Sequence, residues 1–188
     1  GYRFWRRYNE YMEFLNNSPM DGFGSEFLWH NGAWMSEAEW LDSLNFLVLV
    51  QDNFLKQNLN KMYGAACILD QLPTDCTKEQ MLTYAFASTL LGIKTNQNYL
   101  ALYTADISFT TQVIQPLFNI GIGVPINDYY VIPNSHVYAR DFSNAKVLVN
   151  PTSNPYVINL QGTFKTLVGD LISEITMGSH TGIILTRL

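Results

Sequence analysis

The chain has 188 residues, of which 47% are hydrophobic, 14% aromatic and 14% charged. A composition so rich in apolar residues and so poor in charge favours a packed globular protein over a disordered one. The net charge of −5 argues against a nucleic-acid-binding surface. No apolar run reaches the roughly 18 residues of a membrane span, so no such span is expected.

The first half of the chain alternates between helical and strand patterns. Helical apolar spacing, the capping box that begins at Ser36 and a second cap at Thr77 mark the helices, while apolar runs without alternation mark buried strands. The predicted elements are a helix at 2–16, a strand at 20–28, a helix at 36–57, a strand at 62–69, a helix at 78–92, a strand at 98–105 and a helix at 109–120. The last helix contains Pro116, which strains it. Three strand-then-helix units imply parallel pairing through crossovers.

The pattern changes after the Gly-x-Gly-x-Pro connector at 121–125. Turn residues then recur about every ten residues and separate short strands, which predicts a compact antiparallel β-sandwich. The predicted strands are 128–132, 136–142, 145–149, 155–160, 163–168, 172–177 and 181–187. The predicted fold is therefore α/β plus all-β, with a partial (β/α) barrel at 1–122 and a small antiparallel β-sandwich at 123–188.

Two stretches resemble glycoside-hydrolase-like TIM-barrel proteins. Residues 140–151, which read R-D-F-S-N-A-K-V-L-V-N-P, together with 183–185, resemble the C-terminal β-sandwich of that family, although Ala145 stands where glycine is common. The run from Asp21 to Glu26 resembles the D-G-x-x-x-D strand end of those barrels, with Glu26 in place of the second aspartate.

This resemblance implies a fold, a partner and a location. A complete barrel needs eight strand–helix units and about 250 residues, so the chain is expected to be the C-terminal half of such a protein. The other strands would come from an upstream segment, another chain or self-association. The implied partner is a polysaccharide or oligosaccharide, no cofactor is expected, and an extracellular or cell-surface location is favoured by the resemblance alone.

The candidate catalytic residues are carboxylates that follow predicted strands. Glycosidic cleavage commonly uses two carboxyl groups, and in a barrel these lie at the C-terminal strand ends. Glu26, Asp70 and Asp106 satisfy that rule. Glu26 and Asp70 are the predicted catalytic pair, in which one protonates the leaving oxygen and the other acts as nucleophile or base. Asp106 is assigned to substrate binding, although it suits equally well an N-cap of the following helix.

The predicted sugar-binding residues lie mainly in the loop after Glu26. Indole faces stack on sugars, and amide or imidazole groups bond hydroxyls. The loop residues are Trp29, His30, Asn31 and Trp34, and the alternative is that a tryptophan plugs the barrel rim or packs on helix 36–57. Tyr103 either lines the cleft or fills the barrel. Asp21 completes the set, with a structural role in holding its strand end as the alternative.

Other chemistry is not supported by the sequence. His30, His136 and His180 are scattered, so neither a Ser/His/Asp triad nor a metal site is expected. Cys67 and Cys76 are interpreted as unpaired structural thiols. The rival hypothesis to a glycoside hydrolase is a non-catalytic structural or carbohydrate-binding subunit of a cell-surface or viral assembly.

Overall fold

The computed structural model describes residues 8–25, 29–30, 32–94 and 98–188 and contains two β-sheets with intervening helices. The first part of the chain contains α1 (Tyr8–Asn17), β1 (Gly22–Ser25), α2 (Glu37–Lys56), β2 (Met62–Ile68), α3 (Lys78–Gly92) and β3 (Asn98–Tyr103). A helical segment at 107–118, called α4 here, follows. It consists of α-helical turns at Ile107–Phe109 and Gln115–Phe118 on either side of a π-helical turn at Thr110–Ile114.

The first sheet is parallel and has the order β1-β2-β3. Gly22 pairs with Met62 at one end of the sheet, and Ile68 pairs with Tyr103 at the other. This arrangement confirms the predicted parallel pairing of consecutive strands. The described strands form an open sheet of three, and they do not by themselves close into a barrel.

The capping residues in the sequence correctly predicted where α2 and α3 begin. The side chain of Ser36 accepts a hydrogen bond from the backbone N–H of Glu39, and the Glu39 carboxylate accepts one from the backbone N–H of Ser36, which completes the capping box before α2. Thr77 caps α3 by accepting from the backbone N–H of Gln80 at 3.1 Å. In α4, the π-helical turn directly precedes the piece that contains Pro116. Proline offers no N–H, so an irregular turn at this point is expected.

The second sheet is antiparallel and has six strands in the order β4-β5-β6-β9-β7-β8. Its strands are β4 (Tyr130–Val131), β5 (Tyr138–Asp141), β6 (Ala145–Asn150), β7 (Tyr156–Lys165), β8 (Leu171–Met177) and β9 (Thr181–Arg187). The predicted antiparallel pairing is confirmed, but in place of the predicted β-sandwich there is one curled sheet, in which β7 bonds both β8 and β9. We call residues 123–188 the β-unit. The two strands predicted at 155–160 and 163–168 are the single bulged strand β7.

The curled sheet is buried on both sides of its central strands. Along β6, Val147 and Val149 belong to the hydrophobic core that contains the helices, whereas Leu148 belongs to a second cluster with Ile158 and Phe164 of β7. Because successive side chains of a strand point to opposite faces, β6 lies between the helices and the far half of its own sheet. The packing is thus sandwich-like without a second, separate sheet.

The parts predicted at 1–122 and 123–188 share one core. Tyr138 and Phe142 of the β-unit belong to the same buried cluster as Trp40 of α2 and Met81 of α3. The ring of Tyr138 lies 4.8 Å from that of Trp40. The two parts are therefore in direct hydrophobic contact.

Candidate functional site

Three of the predicted site residues lie at the carboxyl edge of the parallel sheet. Tyr103 ends β3, Asp70 follows β2 by two residues, and Asp106 precedes α4. In open and barrel-forming parallel sheets, ligands bind beyond this edge. We call Asp70, Tyr103 and Asp106, with Lys78 of α3, the strand-edge cluster.

Asp70 is held by hydrogen bonds on both of its oxygens. Lys78 Nζ lies 2.7 Å from Oδ1, and the Thr104 hydroxyl lies 3.1 Å from the same atom. The backbone N–H of Ala105 donates to Oδ2 at 2.7 Å. The hydrogen bond from Lys78, and after it the one from Ala105, lower the pKa of Asp70. An ionised carboxylate tethered in this way is poorly suited to donate a proton to a leaving oxygen.

Asp106 is a helix N-cap, which is the alternative role that the sequence allowed. Its Oδ1 accepts from the backbone N–H of Phe109 at 3.0 Å, which makes it the N-cap of the helical turn that follows. Tyr103 is 55% exposed, so its ring faces solvent and does not fill an interior. The cluster therefore contains one solvent-exposed aromatic ring, that of Tyr103, and two carboxylates, Asp70 and Asp106, that already accept hydrogen bonds.

Asp21 does not belong to this cluster. It precedes β1, and its backbone carbonyl accepts from Met62 N–H at the first residue of β2. Both positions mark the amino edge of the parallel sheet, opposite Asp70. The structure therefore separates Asp21 from the other candidate residues and favours the structural alternative.

The loop predicted to hold a sugar is largely buried where it is described. Trp29 is fully buried, its indole N–H donates to the Thr89 hydroxyl at 3.0 Å, and its ring lies 6.3 Å from Trp40. His30 is also fully buried, and burial lowers its pKa despite an opposing backbone hydrogen bond at Ile68. Neither ring is accessible to a sugar, so the binding role predicted for them does not fit the structure. The remaining candidates, Glu26 and Asn31, lie outside the described residues.

Trp34 packs against two elements that the sequence did not indicate. Its ring stacks on that of His180 at 4.4 Å with an interplanar angle of 11°, and it meets Tyr84 of α3 edge-on at 5.4 Å. Trp34 therefore joins the loop before α2 to the β-unit. This contact covers a face that a sugar would need.

A polar pocket of about 350 Å³ lies beside this contact, between the start of α2 and the β-unit. It is lined by Glu37 at the start of α2 and by His136, Ser153, Asn154, Tyr156 and His180 of the β-unit, and we call it the α2–β pocket. Sequence reasoning missed it because its histidines are far apart along the chain. No local spacing signals that His136 meets Glu37.

The Glu37–His136 contact is the best-defined polar interaction in the pocket. His136 Nδ1 lies 3.0 and 2.8 Å from the two carboxylate oxygens of Glu37. The Tyr138 hydroxyl donates to Glu37 Oε1 at 2.8 Å. Burial, followed by the hydrogen bond to Glu37, raises the pKa of Tyr138, so its hydroxyl keeps its proton and remains a donor.

Two further kinds of site are not found in the part of the chain that the structure describes. No three histidine, cysteine, aspartate or glutamate side chains come together there in a way that could hold a metal ion. No helix in the described ranges has both the length and the apolarity to cross a membrane.

No protein-family model matches the chain, and no curated protein matches it.

Proposed function

We propose that the chain is a glycoside-hydrolase-like protein that binds a polysaccharide at the strand-edge cluster without cleaving it. The observation that carries the proposal is the state of Asp70, whose two oxygens accept hydrogen bonds from Lys78, Thr104 and Ala105 next to the exposed ring of Tyr103. A carboxylate held ionised serves as an acceptor for sugar hydroxyls. An adjacent aromatic ring supplies the apolar surface on which sugar C–H groups pack.

The proposal also includes the complete fold to which the three parallel strands would belong. In it, the three parallel strands belong to a (β/α) barrel whose other strands come from elsewhere in the sequence, from another chain or from a second copy. The parallel order β1-β2-β3 with intervening α2 and α3 supports this fold, as does the resemblance of residues 140–151 to the family's C-terminal β-unit.

Hydrolysis by two carboxylates is the second candidate function. It is favoured by the position of Glu26 in the sequence, directly after the last residue of β1. Strand β1 is the neighbour of β2, and the carboxyl ends of adjacent parallel strands meet at one edge. In this alternative Asp70, kept ionised, would act as nucleophile or base and Glu26 as the acid.

Binding is tested by titrating the protein with neutral oligosaccharides while recording backbone amide NMR shifts. We expect shifts around residues 70 and 103–106, and a roughly tenfold loss of affinity in Tyr103→Ala, because the variant removes the only stacking ring of the cluster. Leu171→Ala, which removes an equally exposed apolar side chain on β8, is the matched control and keeps full affinity. Unchanged affinity of Tyr103→Ala would remove the strand edge from the proposal.

Catalysis is tested separately by measuring new reducing ends after incubation with the oligosaccharides that bind. The proposal expects none from the wild-type protein. Release of reducing ends that is lost in both Glu26→Gln and Asp70→Asn, with oligosaccharide affinity retained, would establish the hydrolase instead.

A further inference from the structure

We propose that the α2–β pocket is a second binding site, which takes one uncharged sugar ring. The class of ligand rests on the proposed function, whereas the location of the site does not. The pocket contains none of the residues of the strand-edge cluster, and its lining comes from both parts of the chain.

The size of the pocket limits the ligand. A volume of about 350 Å³ is at the small end of the range found for ligand pockets, about 300–1,000 Å³. One hexose-sized ring therefore suits the space better than an extended oligosaccharide. Additional units of a chain would extend into solvent.

Hydrogen bonds between two lining residues, Glu37 and His136, fix the orientation of the His136 imidazole. The Glu37 carboxylate only accepts hydrogen bonds, so the His136 nitrogen that contacts it, Nδ1, carries the proton. Where Nδ1 carries the ring's single proton, Nε2 presents a lone pair. The His136 side chain is 59% exposed, and this acceptor is therefore open to a sugar hydroxyl.

Glu37 retains some capacity for a ligand of its own. Tyr138 and His136 both contact Oε1, whereas among the described residues His136 alone contacts Oε2. A carboxylate oxygen accepts about two hydrogen bonds, so Oε2 can accept one more. Two neighbouring acceptors, Oε2 and the His136 Nε2, suit the adjacent hydroxyls of a sugar.

Tyr156 supplies the apolar part of the site. Its ring centroid lies 5.9 Å from that of His136, and the two planes are inclined by 38°. Ser153 and Asn154, in the loop before β7, add a hydroxyl and an amide to the lining. An aromatic wall with hydroxyl, amide and carboxylate groups around it is the composition that binds sugars.

Charge distinguishes a sugar from the other ligands that a polar pocket could take. The described residues that line the pocket include no lysine or arginine, and Glu37 contributes a negative charge. An anion would therefore meet a carboxylate without a compensating cation. Charge therefore disfavours an anionic ligand, and the choice of a neutral sugar follows from the proposed function.

The test is an amide NMR titration of the whole protein with a panel of neutral monosaccharides, together with glucuronate as an anion and glucosamine as a cation. We expect one or more neutral sugars to shift residues 36–37, 136 and 153–156. Affinity should fall at least tenfold in Tyr156→Ala and in His136→Phe, the latter of which keeps a ring but loses both nitrogens. Circular dichroism confirms that each variant is folded. Val157→Ala, an exposed neighbour of Tyr156 on β7, is the control and binds normally.

The outcomes separate this site from the strand edge. Shifts at the pocket that persist in Tyr103→Ala and disappear in Tyr156→Ala support the second site, even if no binding is found at the strand edge. Binding that is lost in Tyr103→Ala but retained in both pocket variants overturns the second site and leaves the proposed function intact. Preferential binding of glucuronate or glucosamine, or no shift at the pocket with any sugar, also overturns it.

Discussion

Gly182 of β9 lies directly against Tyr84 of α3. A Cβ atom built on Gly182 would come within 2.8 Å of the Tyr84 Cα and 2.6 Å of the Thr83 carbonyl oxygen. The helix therefore approaches the β-unit at backbone distance. This contact joins the two parts of the chain more closely than side-chain packing alone allows.

We expect Gly182→Ala to destabilise the protein by about 3 kcal/mol, because a methyl group at this site forces the helix and strand apart. Urea unfolding followed by circular dichroism measures the change. Gly162→Ala is the control, since its Cβ would lie 3.7 Å from the nearest neighbour. Equal stability of the two variants would show that the close approach does not exist.

Arg140 connects the β-unit to the other end of α3. Its guanidinium donates to the carbonyl oxygens of Leu91 and Ile93 at 3.0 and 2.5 Å, and its Nε donates to that of Asn127 at 2.8 Å. The carbonyls of Leu91 and Ile93 lie at the C-terminus of α3, where backbone carbonyls have no donor within the helix. Arg140 is nearly fully buried, so no water can replace it.

Arg140→Met should therefore cost about 3 kcal/mol, because the apolar side chain leaves several buried carbonyls without donors. Arg140→Lys keeps a charge and some of the hydrogen bonds. Its free energy of unfolding should therefore lie between those of Arg140→Met and the wild type. The same urea titration ranks the three proteins. A methionine variant as stable as the wild type would contradict the capping role.

The motif at 140–151 is explained by these structural roles. Arg140 caps α3, Asp141 pairs with Lys146 and Arg187 at 2.7 and 2.8 Å, and Asn150 donates to carbonyls of the turns on either side. Sequence reasoning recognised the motif as a β-unit signature. It did not reveal that the first residue holds a helix 50 positions away.

The pH dependence of stability should show the contribution of Asp141. Burial raises the pKa of this carboxyl, but the hydrogen bonds from Lys146 and Tyr130 together with the charges of Lys146 and Arg187 outweigh burial, and the net pKa is lowered. A group with a lower pKa in the folded state stabilises the fold above its unfolded value, about 3.9, and loses that contribution as pH falls through the folded pKa.

Asp141→Asn should accordingly lower the free energy of unfolding at pH 7, and the difference from wild type should shrink below about pH 4. Unfolding titrations at pH 3, 4, 5 and 7 measure it. Glu174→Gln, at an exposed position on β8, is the control. A difference in unfolding free energy between Asp141→Asn and wild type that stays constant down to pH 3 would contradict the lowered pKa of Asp141.

Tyr84 carries a buried hydroxyl that has no hydrogen-bond partner among the described residues. An unsatisfied buried hydroxyl costs about 1–3 kcal/mol. Tyr84→Phe should therefore raise the unfolding free energy by about 1 kcal/mol. Tyr138→Phe is the matched comparison: it loses the hydrogen bond to Glu37 and should be less stable than wild type. Thermal unfolding distinguishes the two, and a destabilised Tyr84→Phe would indicate that the hydroxyl has a partner.

The parts of the fold that the sequence predicted are those with local signals. The capping residues Ser36 and Thr77 fix helix starts through contacts three residues away, and the apolar run at 62–69 identifies a strand buried on both faces. The break that the sequence predicted at 161–162, between strands at 155–160 and 163–168, is wrong. The structure has a β-bulge there, with Gln161 in the left-handed region at φ 57°, so the strand continues past it.

The candidate site was harder to predict because its contacts are distant in sequence. Asp70 is tethered in part by Thr104 and Ala105, which directly follow β3 and could not be anticipated from spacing. Trp29 illustrates the reverse error. A tryptophan in a loop suits sugar binding, but this one finds a hydroxyl on α3, and burying an indole with its N–H satisfied is favourable.

The reactivity of the thiols offers a further prediction. Burial, with a smaller contribution from Cys76, raises the pKa of Cys67 to about 12, and burial raises that of Cys76 to about 11. Thiolate is the reactive form, so both should react slowly with a disulfide reagent at pH 8. In Cys76→Ser, which leaves Cys67 alone, we expect modification to follow unfolding and to accelerate in urea in parallel with the loss of circular dichroism. Rapid modification of the folded variant would show that β2 is not buried beneath the helices.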